Sequence, residues 1–583
     1  MQPRFAHHVG PMSQADLLEQ TGALDAAQRT PERAPFVAAA MFGTSVPWAR
    51  STGRLFDRLA IGVLVALAVI AILTFRDYGL GWDDYTHAEY GGLLLRLYES
   101  GFGDRRALSF VNLYAYGGGF DMLAALAAKI LPFDLFETRR LCGAAVGLIG
   151  LAVTWRIGRR FGGSLAGLLA LLFLATCPLY YGHMFINAKD SPFAVAMVVM
   201  LLGLIRSFEE YPAPSASTVA LFGFGLGLSM GTRVLGDLAP LYALAGLSFV
   251  MIAEAGQTGL NASSRALRFV LMLLPSLVLA YAVMALIWPW SVVSPLNPLR
   301  AVAYFSHFFE KPWKEMFAGV PVAVPDMPRS YVPQLFVLTM PVCLLLLGTA
   351  GIMAGVVTLT QRQVAVVKRA TILIVILAAT APVVIACLTR PAMYNGIRHF
   401  VFLAPPFAVL AGAAGAWVIA RSVSASRTAA AIAAAIIAGG ILLPIVDMIR
   451  LHPYEYTHFN KIAGGVRAAD ERYMLDYWGL AFKQAADELR EKLAERQEAP
   501  TARARWRIAV CGPQRPAQTE LGTDFVTTGD PAGADFAMML GEFYCLKLNA
   551  PILVEVERDG VIFARVYDIR GRSIPSLLAL PAP

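Results

Sequence analysis

Long apolar stretches, separated by short polar segments, dominate the first 446 residues of the chain. About eleven of these stretches approach the length that a helix needs to cross a bilayer. This pattern predicts a polytopic α-helical membrane protein whose membrane part covers residues 55–446. The stretches lie at roughly residues 59–75, 141–155, 165–181, 192–205, 216–232, 238–253, 269–289, 332–358, 370–388, 400–420 and 428–446.

The positions of basic residues predict the orientation of these spans. Arginine and lysine collect in every second loop, beginning with Arg54 and Arg58 before the first span and continuing with residues 156–160 after the second. Because basic loops stay on the cytoplasmic side, the N-terminus is expected inside. An odd number of spans then places the C-terminus on the outer face.

The first external loop is predicted to be long, from about residue 76 to residue 140. Its apolar stretch at residues 120–131 is only about a dozen residues long, which is too short for a span. Counting this stretch as a span would also place the basic loop at residues 156–160 on the outer side. We therefore expect it to lie in the membrane interface, as does a second candidate helix at residues 93–98.

The pattern changes near Asp447 to that of a small α/β domain, covering residues 447–583 on the outer face. Residues 479–497 predict a helix, and Asp559-Gly560 fits a two-residue hairpin turn. In this external domain Cys511 and Cys545 are expected either to form a disulfide or to remain free thiols. The apolar helix face carries Phe482, Ala485, Ala486, Leu489 and Leu493, and strands are predicted at residues 507–510, 536–540, 552–557 and 561–567.

Composition agrees with a membrane protein and argues against one class of partner. Hydrophobic residues make up 57% of the 583 residues and charged residues only 15%, far from the average of soluble domains. The net charge of +8 is spread along the chain without a basic tract, so nucleic-acid binding is not expected. Residues 1–54 are polar and lack a signal-peptide pattern, and we expect them to form a disordered cytoplasmic tail.

An acidic pair, Asp83-Asp84, follows the first apolar stretch. Ionised groups at a membrane boundary are costly unless they are solvated or paired. The pair therefore suits a general base or a cation ligand, and the alternative is a helix N-cap or a solvated loop acid. Asp121 follows three glycines and either contributes to the same site or marks a turn before the interfacial helix.

Residues 187–193 place Asn187, Lys189 and Asp190 just before a span that has proline in its first turn. One interpretation is an interfacial ion pair that caps this helix. The other is functional, with Lys189 contacting a phosphate while Asp190 holds an acceptor, a metal or a neighbouring arginine.

Several arginines fall on the predicted outer side, where the positive-inside rule does not explain them. They either snorkel to the interface or bind an anionic group such as phosphate. They are Arg139, Arg140, Arg233 and Arg398, the last in a turn-like segment with Tyr394 and His399.

The loop at residues 290–331 carries a mixture of aromatic and charged residues. It is interpreted as an interfacial anchor or as part of an acceptor gate, and we favour the anchor. Its notable residues are His307, Glu310, Lys311, Trp313, Lys314 and Glu315.

Taken together, the acidic pair after the first span, the long first loop and the segments 187–193 and 394–399 resemble the polytopic GT-C glycosyltransferases. The nearest group is family 39, with the protein O-mannosyltransferases and bacterial relatives such as the aminoarabinose transferases. The resemblance covers roughly residues 55–446. It implies an enzyme of the bacterial cytoplasmic (inner) membrane that moves a sugar from a polyprenyl-phosphate donor to a hydroxyl-bearing acceptor at the outer face.

The resemblance also implies roles for individual residues. Asp83 maps to the catalytic base and Asp84 to its partner, although the family usually has glutamate at the second position. A single displacement with one base inverts the anomeric configuration. The implied phosphate-binding residues are Lys189, Arg398, Arg140, Arg139 and Arg233, and the residues implied near the acceptor or behind the site are Asp190, His399, Tyr394, Asn187 and Asp121.

No cofactor is required by this chemistry, and no repeated Asp-rich motif indicates a metal. The main alternative is a secondary transporter or lipid flippase. Transporters of that kind carry functional charges near the membrane midplane in related halves. Here the polar groups collect on one predicted face and we detect no internal repeat, which favours the glycosyltransferase.

Overall fold

The computed structural model describes residues 41–42, 49–233, 238–258, 260–306, 313–500 and 504–579. The predicted cytoplasmic tail therefore lies almost wholly outside the described residues. The same is true of His307, Glu310 and Lys311 in the candidate gate.

Helices make up most of the described chain. In chain order they are α1 (Ala49–Thr74), α2 (Asp84–Glu99), α3 (Gly119–Ala127), α4 (Leu135–Ala175), α5 (Pro178–Ile186), α6 (Asp190–Glu209), α7 (Ala216–Thr232), α8 (Leu238–Thr258), α9 (Leu260–Ile287), α10 (Trp290–Val293), α11 (Asn297–Ser306), α12 (Tyr331–Thr339), α13 (Val342–Leu359), α14 (Val366–Thr389), α15 (Ala404–Ala425), α16 (Arg427–Leu451), α17 (Gly465–Ala469), α18 (Phe482–Glu495), α19 (Gln514–Leu521) and α20 (Ile574–Leu578).

Nine helices in the described ranges are long and apolar enough to cross a membrane, namely α1, α4, α6, α8, α9, α13, α14, α15 and α16. Two of the eleven predicted spans fall together in α4, whose backbone leaves the helical conformation at Gly162 and Gly163. A third predicted span corresponds to α7, an apolar helix of 17 residues. The eleven-span count and the orientation remain predictions.

Burial separates central helices from peripheral ones. α6 and α15 are largely enclosed by other helices, whereas α1 and α16 expose most of their apolar length. Exposed side chains of Leu73 and Ile449 illustrate this outer surface. An apolar surface of this extent is typical of helices that face lipid.

The first loop folds into short helices, as its pattern predicts. α2 has 16 residues and α3 only nine, so neither reaches the length of a span. α2 packs against α3, and both lie near the start of α4. This packing brings Asp84 and Asp121 close to the arginines at the beginning of α4.

The C-terminal residues form a small mixed sheet, so the predicted fold class is confirmed. The strands of the described chain are β1 (Lys314–Phe317), β2 (Val320–Ala323), β3 (Trp506–Cys511), β4 (Phe525–Thr528), β5 (Phe536–Leu540), β6 (Ile552–Arg558) and β7 (Val561–Asp568). The sheet of the C-terminal domain has the order β4-β3-β5-β7-β6, with β3 parallel to β4 and β5 and the remaining pairs antiparallel. A separate hairpin pairs β1 with β2.

The details of this domain match the sequence closely. All five residues of the predicted apolar face of α18 are buried. Asp559 and Gly560 both have positive φ, as a two-residue hairpin turn requires. Cys511 and Cys545 form a disulfide. The sequence interpretation missed β4 and α19, which are short.

Candidate active site

A cavity of about 730 Å³ lies where the first loop, the start of α6, the β1–β2 hairpin and the C-terminal domain meet. Of the residues to which the resemblance gives a role, it brings together Asp83, Lys189, Tyr394 and Arg398. Its other lining residues include Trp82, Thr86, His87, Asn112, Tyr116, Trp313, Lys314, Asn395, Tyr477, Trp478, Phe543 and Tyr544.

The two acidic residues of the pair have different environments. Asp84 is buried, and its two carboxylate oxygens accept hydrogen bonds from Nη1 and Nη2 of Arg140 at 2.9 and 2.7 Å. The backbone N–H of Gly81 donates to the same carboxylate at 2.8 Å. A bidentate arginine and a backbone donor together hold the carboxylate in one orientation inside the protein. Asp84 therefore stabilises the loop and does not face the cavity.

Asp83 lines the cavity, with 41% of its side chain exposed. Its Oδ2 lies 3.8 Å from Nζ of Lys189. Partial desolvation opposes ionisation of Asp83, but the charges of Lys189 and Arg398 outweigh it and hold the pKa of the carboxyl below its usual value. Asp83 is thus an ionised, accessible carboxylate beside two cations.

Asp190 holds two arginines in place at the start of α6. It accepts a hydrogen bond from Nη1 of Arg398 at 3.1 Å and forms an ion pair with Arg233. Nδ2 of Asn187 donates to the same carboxylate at 2.8 Å, and Oδ1 of Asn187 accepts from the backbone N–H of Lys189 and of Asp190. Among the alternatives drawn from the sequence, this geometry matches Asp190 holding a neighbouring arginine.

Lys189 is directed toward the acidic pair of the first loop. Besides Asp83, its ammonium lies 4.8 Å from the ring centre of Tyr116. Burial, together with the positive charges of Arg398 and Arg233, lowers the pKa of Lys189 from its usual value against the opposing effect of Asp83. Its charge is therefore only partly compensated by protein groups.

Arg398 is buried between two aromatic rings that line the cavity. Its guanidinium carbon lies 4.9 Å from the ring centres of both Tyr394 and Trp478. The ring of Tyr394 also contacts His399 edge-on, with ring centres 4.9 Å apart. These contacts fix the direction of the guanidinium toward the cavity.

The turn before Arg398 is fixed by Glu315 of the β1–β2 hairpin. Its carboxylate accepts hydrogen bonds from the backbone N–H of Asn395 at 2.6 Å and of Gly396 at 3.1 Å. Burial raises the pKa of Glu315 to about 7, although these N–H donors and Tyr331 oppose the shift. The favoured interpretation of this loop as an anchor omitted this role, and its residues Trp313 and Lys314 line the cavity.

Arg139 and Arg140 pair with acids of the first loop. Nη2 of Arg139 donates to Oδ1 of Asp121 at 2.7 Å, and Nδ1 of His87 lies 2.6 Å from Oδ2 of the same carboxylate. Neither arginine lines the cavity. Both instead join α4 to the helices of the first loop, and the phosphate-binding role that the resemblance implies for them stays a prediction.

A second cavity of about 260 Å³ adjoins the first and is mostly apolar. Tyr116 and Tyr394 line both cavities and form their common boundary. Arg233 and His399 supply most of the charge or polarity of the second cavity. Its apolar lining includes Leu238, Phe305, Pro382, Ile385, Met393, Phe400 and Phe402.

The C-terminal domain contributes to the first cavity, which the sequence did not reveal. The backbone carbonyl of Trp478 accepts a hydrogen bond from the backbone N–H of Trp82 at 3.2 Å. A Cβ on Gly81 would lie 1.8 Å from the Trp478 ring, so only glycine permits this approach. The hydroxyl of Tyr477 and Nε2 of His183 form a hydrogen bond of 3.0 Å.

The only sequence signal for this contribution was the run Asp476-Tyr477-Trp478-Gly479, which is noticeably aromatic for a soluble domain. Nothing in the sequence marked Phe543 or Tyr544. Within the described ranges, no three His, Cys, Asp or Glu side chains are grouped to hold a metal ion.

Comparison with known proteins gives one family match and several similar structures. The structure of ArnT from Cupriavidus metallidurans bound to undecaprenyl phosphate is 16% identical, covers 88% of this chain and 98% of its own, and has a TM-score of 0.46. The archaeal oligosaccharyltransferase AglB from Archaeoglobus fulgidus, in complex with an inhibitory peptide and a dolichol-phosphate, is 13% identical over 83% of this chain and 70% of its own, with a TM-score of 0.44.

No curated protein sequence matches the chain. The family match comes from a sequence profile described as dolichyl-phosphate-mannose-protein mannosyltransferase, and it covers residues 119–290. Over this segment it confirms the resemblance to polyprenyl-phosphate-dependent membrane glycosyltransferases.

Proposed function

We propose that the protein transfers a sugar from a polyprenyl-phosphate donor to a hydroxyl-bearing acceptor, with Asp83 as the general base. One observation carries the proposal: an ionised, accessible carboxylate shares a cavity with the cations Lys189 and Arg398. The family profile, whose description names a lipid-phosphate sugar and a mannosyl transfer, supports the donor class.

The reaction needs one base and one site for the leaving phosphate. The acceptor oxygen forms a bond to the anomeric carbon while the bond from that carbon to the phosphate oxygen breaks. The acceptor proton passes to Asp83, and the bonding electron pair leaves with the lipid phosphate. Lys189 and Arg398 stabilise the charge that develops on this phosphate. A single displacement of this kind inverts the anomeric configuration.

The lowered pKa of Asp83 fits the role of a base that must be ionised before the reaction. The same cations that lower it are those assigned to the phosphate. Asp190 and Asn187 keep Arg398 and Arg233 in position without touching the reacting atoms. This division separates the groups that contact the reacting atoms from those that hold them in position.

The second cavity is assigned to the lipid part of the donor. Its apolar lining suits a prenyl chain, and Arg233 and His399 stand where that chain approaches the phosphate site. The phosphate then lies at the boundary formed by Tyr116 and Tyr394. We place the site on the outer face of a bacterial inner membrane, in agreement with the orientation inferred from the basic loops.

The test is sugar transfer by the full chain purified in detergent. The purified protein is incubated with a membrane extract and with undecaprenyl-phosphate that carries radiolabelled mannose, glucose or arabinose. The mixture is then separated into protein, lipid and polysaccharide fractions. We expect one donor to label one fraction. The variant Asp83→Asn should lose transfer by at least about a hundredfold, the usual contribution of a general base.

Glu89→Gln is the matched control, because Glu89 is an exposed acid on α2, the helix that begins directly after Asp83. Normal transfer by folded Asp83→Asn protein contradicts the catalytic assignment. Ion-dependent uptake into liposomes, without transfer from any donor, supports the transporter alternative instead.

A further inference from the structure

His87 lies one helical turn after Asp83 and also lines the central cavity. Its side chain is buried, with 3% of the residue exposed. Nδ1 is paired with Asp121, but Nε2 has no hydrogen-bond partner within the described part of the chain. Buried polar atoms are nearly always hydrogen-bonded in folded proteins, so an unpaired one beside a cavity indicates a ligand.

The other ring nitrogen of His87 belongs to a buried network. Nδ1 lies 2.6 Å from Oδ2 of Asp121, and Nη2 of Arg139 donates to Oδ1 of the same carboxylate at 2.7 Å. These contacts hold the ring in place, so Nε2 is the ring atom that remains to bond to a ligand.

We propose that Nε2 of His87 forms a hydrogen bond with a hydroxyl of the acceptor and that this acceptor is a carbohydrate. The inference rests on the proposed function and adds the substrate class. Residues four apart on a helix lie about 5–6 Å from each other at Cβ. Asp83 and His87 can thus bind two hydroxyl groups of one sugar ring, one as nucleophile and one for orientation.

The position of His87 favours the acceptor over the donor. His87 lines only the first cavity, whereas the residues assigned to the lipid chain line the second, beyond Tyr116 and Tyr394. A general base must contact the acceptor hydroxyl, and His87 lies one helical turn further on and lines the same cavity. It is a positioning residue, because the proton itself is assigned to Asp83.

The aromatic lining of the first cavity supports a sugar ring. Trp82, Trp313 and Tyr544 line it and each exposes about two-fifths or more of its surface. Flat apolar rings pack against the C–H face of a pyranose, while its hydroxyls need hydrogen-bond partners around the edge. Asn112 and Asn395 line the same space and offer such partners.

Two substitutions separate binding of the acceptor from stability of the fold. In His87→Asn the amide nitrogen stands near the position of Nδ1, keeps the bond to Asp121 and leaves nothing at Nε2. In His87→Gln the amide reaches the position of Nε2. Each is compared with wild type and Glu89→Gln for transfer to the labelled membrane fraction, with donor and acceptor varied separately.

We expect His87→Asn to raise the KM for the acceptor fraction about tenfold, the effect of one lost hydrogen bond, with the KM for the donor unchanged. His87→Gln should recover part of this loss. Slow hydrolysis of the donor by water should be the same in all variants. The radiolabel transferred by the wild-type protein should not be released by protease, and it should be recovered in saccharide.

An unchanged acceptor KM in folded His87→Asn protein overturns the role of His87, as does a rise in the donor KM. Label that is released by protease as glycopeptide overturns the carbohydrate class. If wild-type protein transfers sugar from none of the donors, the proposed function has failed, which is a different outcome from either of these.

Discussion

The guanidinium of Arg140 binds both oxygens of Asp84 at 2.9 and 2.7 Å, inside the protein and away from the cavity. This contact separates the acidic pair into a residue that holds the loop and a residue, Asp83, that faces the proposed substrates. Position 84, where the resemblance leads one to expect glutamate, thus carries an aspartate that Arg140 reaches directly.

Asp84→Asn is expected to destabilise the protein, because it leaves the charge of Arg140 buried without a counter-charge. The cost of breaking such a pair is about 3–5 kcal/mol. Thermal unfolding in detergent measures this effect. The double variant Asp84→Asn/Arg140→Met removes both charges and should recover part of the loss. A single variant as stable as wild type contradicts this role for the pair.

Trp478→Leu is expected to weaken donor binding, since it removes one of the two rings that enclose Arg398. A cation–π contact is worth about 0.5–2 kcal/mol, which corresponds to a rise in donor KM of roughly 2- to 30-fold. Trp478→Phe should have a smaller effect. Trp506→Phe, a change within the sheet of the same domain, is the control for domain packing. An unchanged donor KM in Trp478→Leu speaks against the contact.

Stability should fall as the pH rises from about 4.5 to 7, in part because of Glu315. Burial raises the pKa of this carboxyl in the folded protein from 4.5 to about 7. Between these values the unfolded chain loses the proton while the folded protein keeps it, so the free energy of unfolding decreases with pH. Glu315→Gln should lessen this dependence.

Melting temperatures of wild type and Glu315→Gln at several pH values test the prediction. Burial also raises the pKa of Asp476 to about 6 and of Glu542 to about 8, and both act in the same direction. The dependence should therefore become smaller in Glu315→Gln without disappearing. Parallel curves for the two proteins would contradict it.

Removing the disulfide is expected to loosen the cavity wall formed by Phe543 and Tyr544, which adjoin Cys545. The bond joins residues 34 positions apart. Closing a loop of that size stabilises a domain by about 3–4 kcal/mol in the chain-entropy description. Cys511→Ser/Cys545→Ser should thus melt earlier and bind the acceptor less tightly. Cys343→Ser, which removes a free thiol, should do neither.

Much of the fold follows from local pattern. The apolar face of α18, the hairpin at Asp559-Gly560 and most of the membrane helices are encoded by nearest neighbours along the chain, so periodicity predicts them. The short β4 and α19 carry too few residues for such a pattern. Two predicted spans fall in the single helix α4. They are separated only by a kink, where Gly162 and Gly163 leave the helical conformation.

The candidate site was predictable only in part. Asp83, Lys189 and Arg398 stand out because each is a charge at a membrane boundary. Which charges pair with each other does not stand out, because pairing depends on contacts between residues far apart in sequence. The ion pairs of Arg139 with Asp121 and of Arg140 with Asp84 are examples. Trp478 belongs to a domain that looked separate.

Tyr116 and Tyr394 divide the two cavities, and this arrangement bears on the kinetic order of the reaction. If the lipid and the acceptor occupy opposite sides of the two rings, both can be present at once and neither has to leave before the other enters. Steady-state rates should then give intersecting double-reciprocal plots, as for a ternary complex, and no glycosyl-enzyme intermediate should accumulate. The spent lipid can then leave the second cavity while the modified acceptor leaves the first.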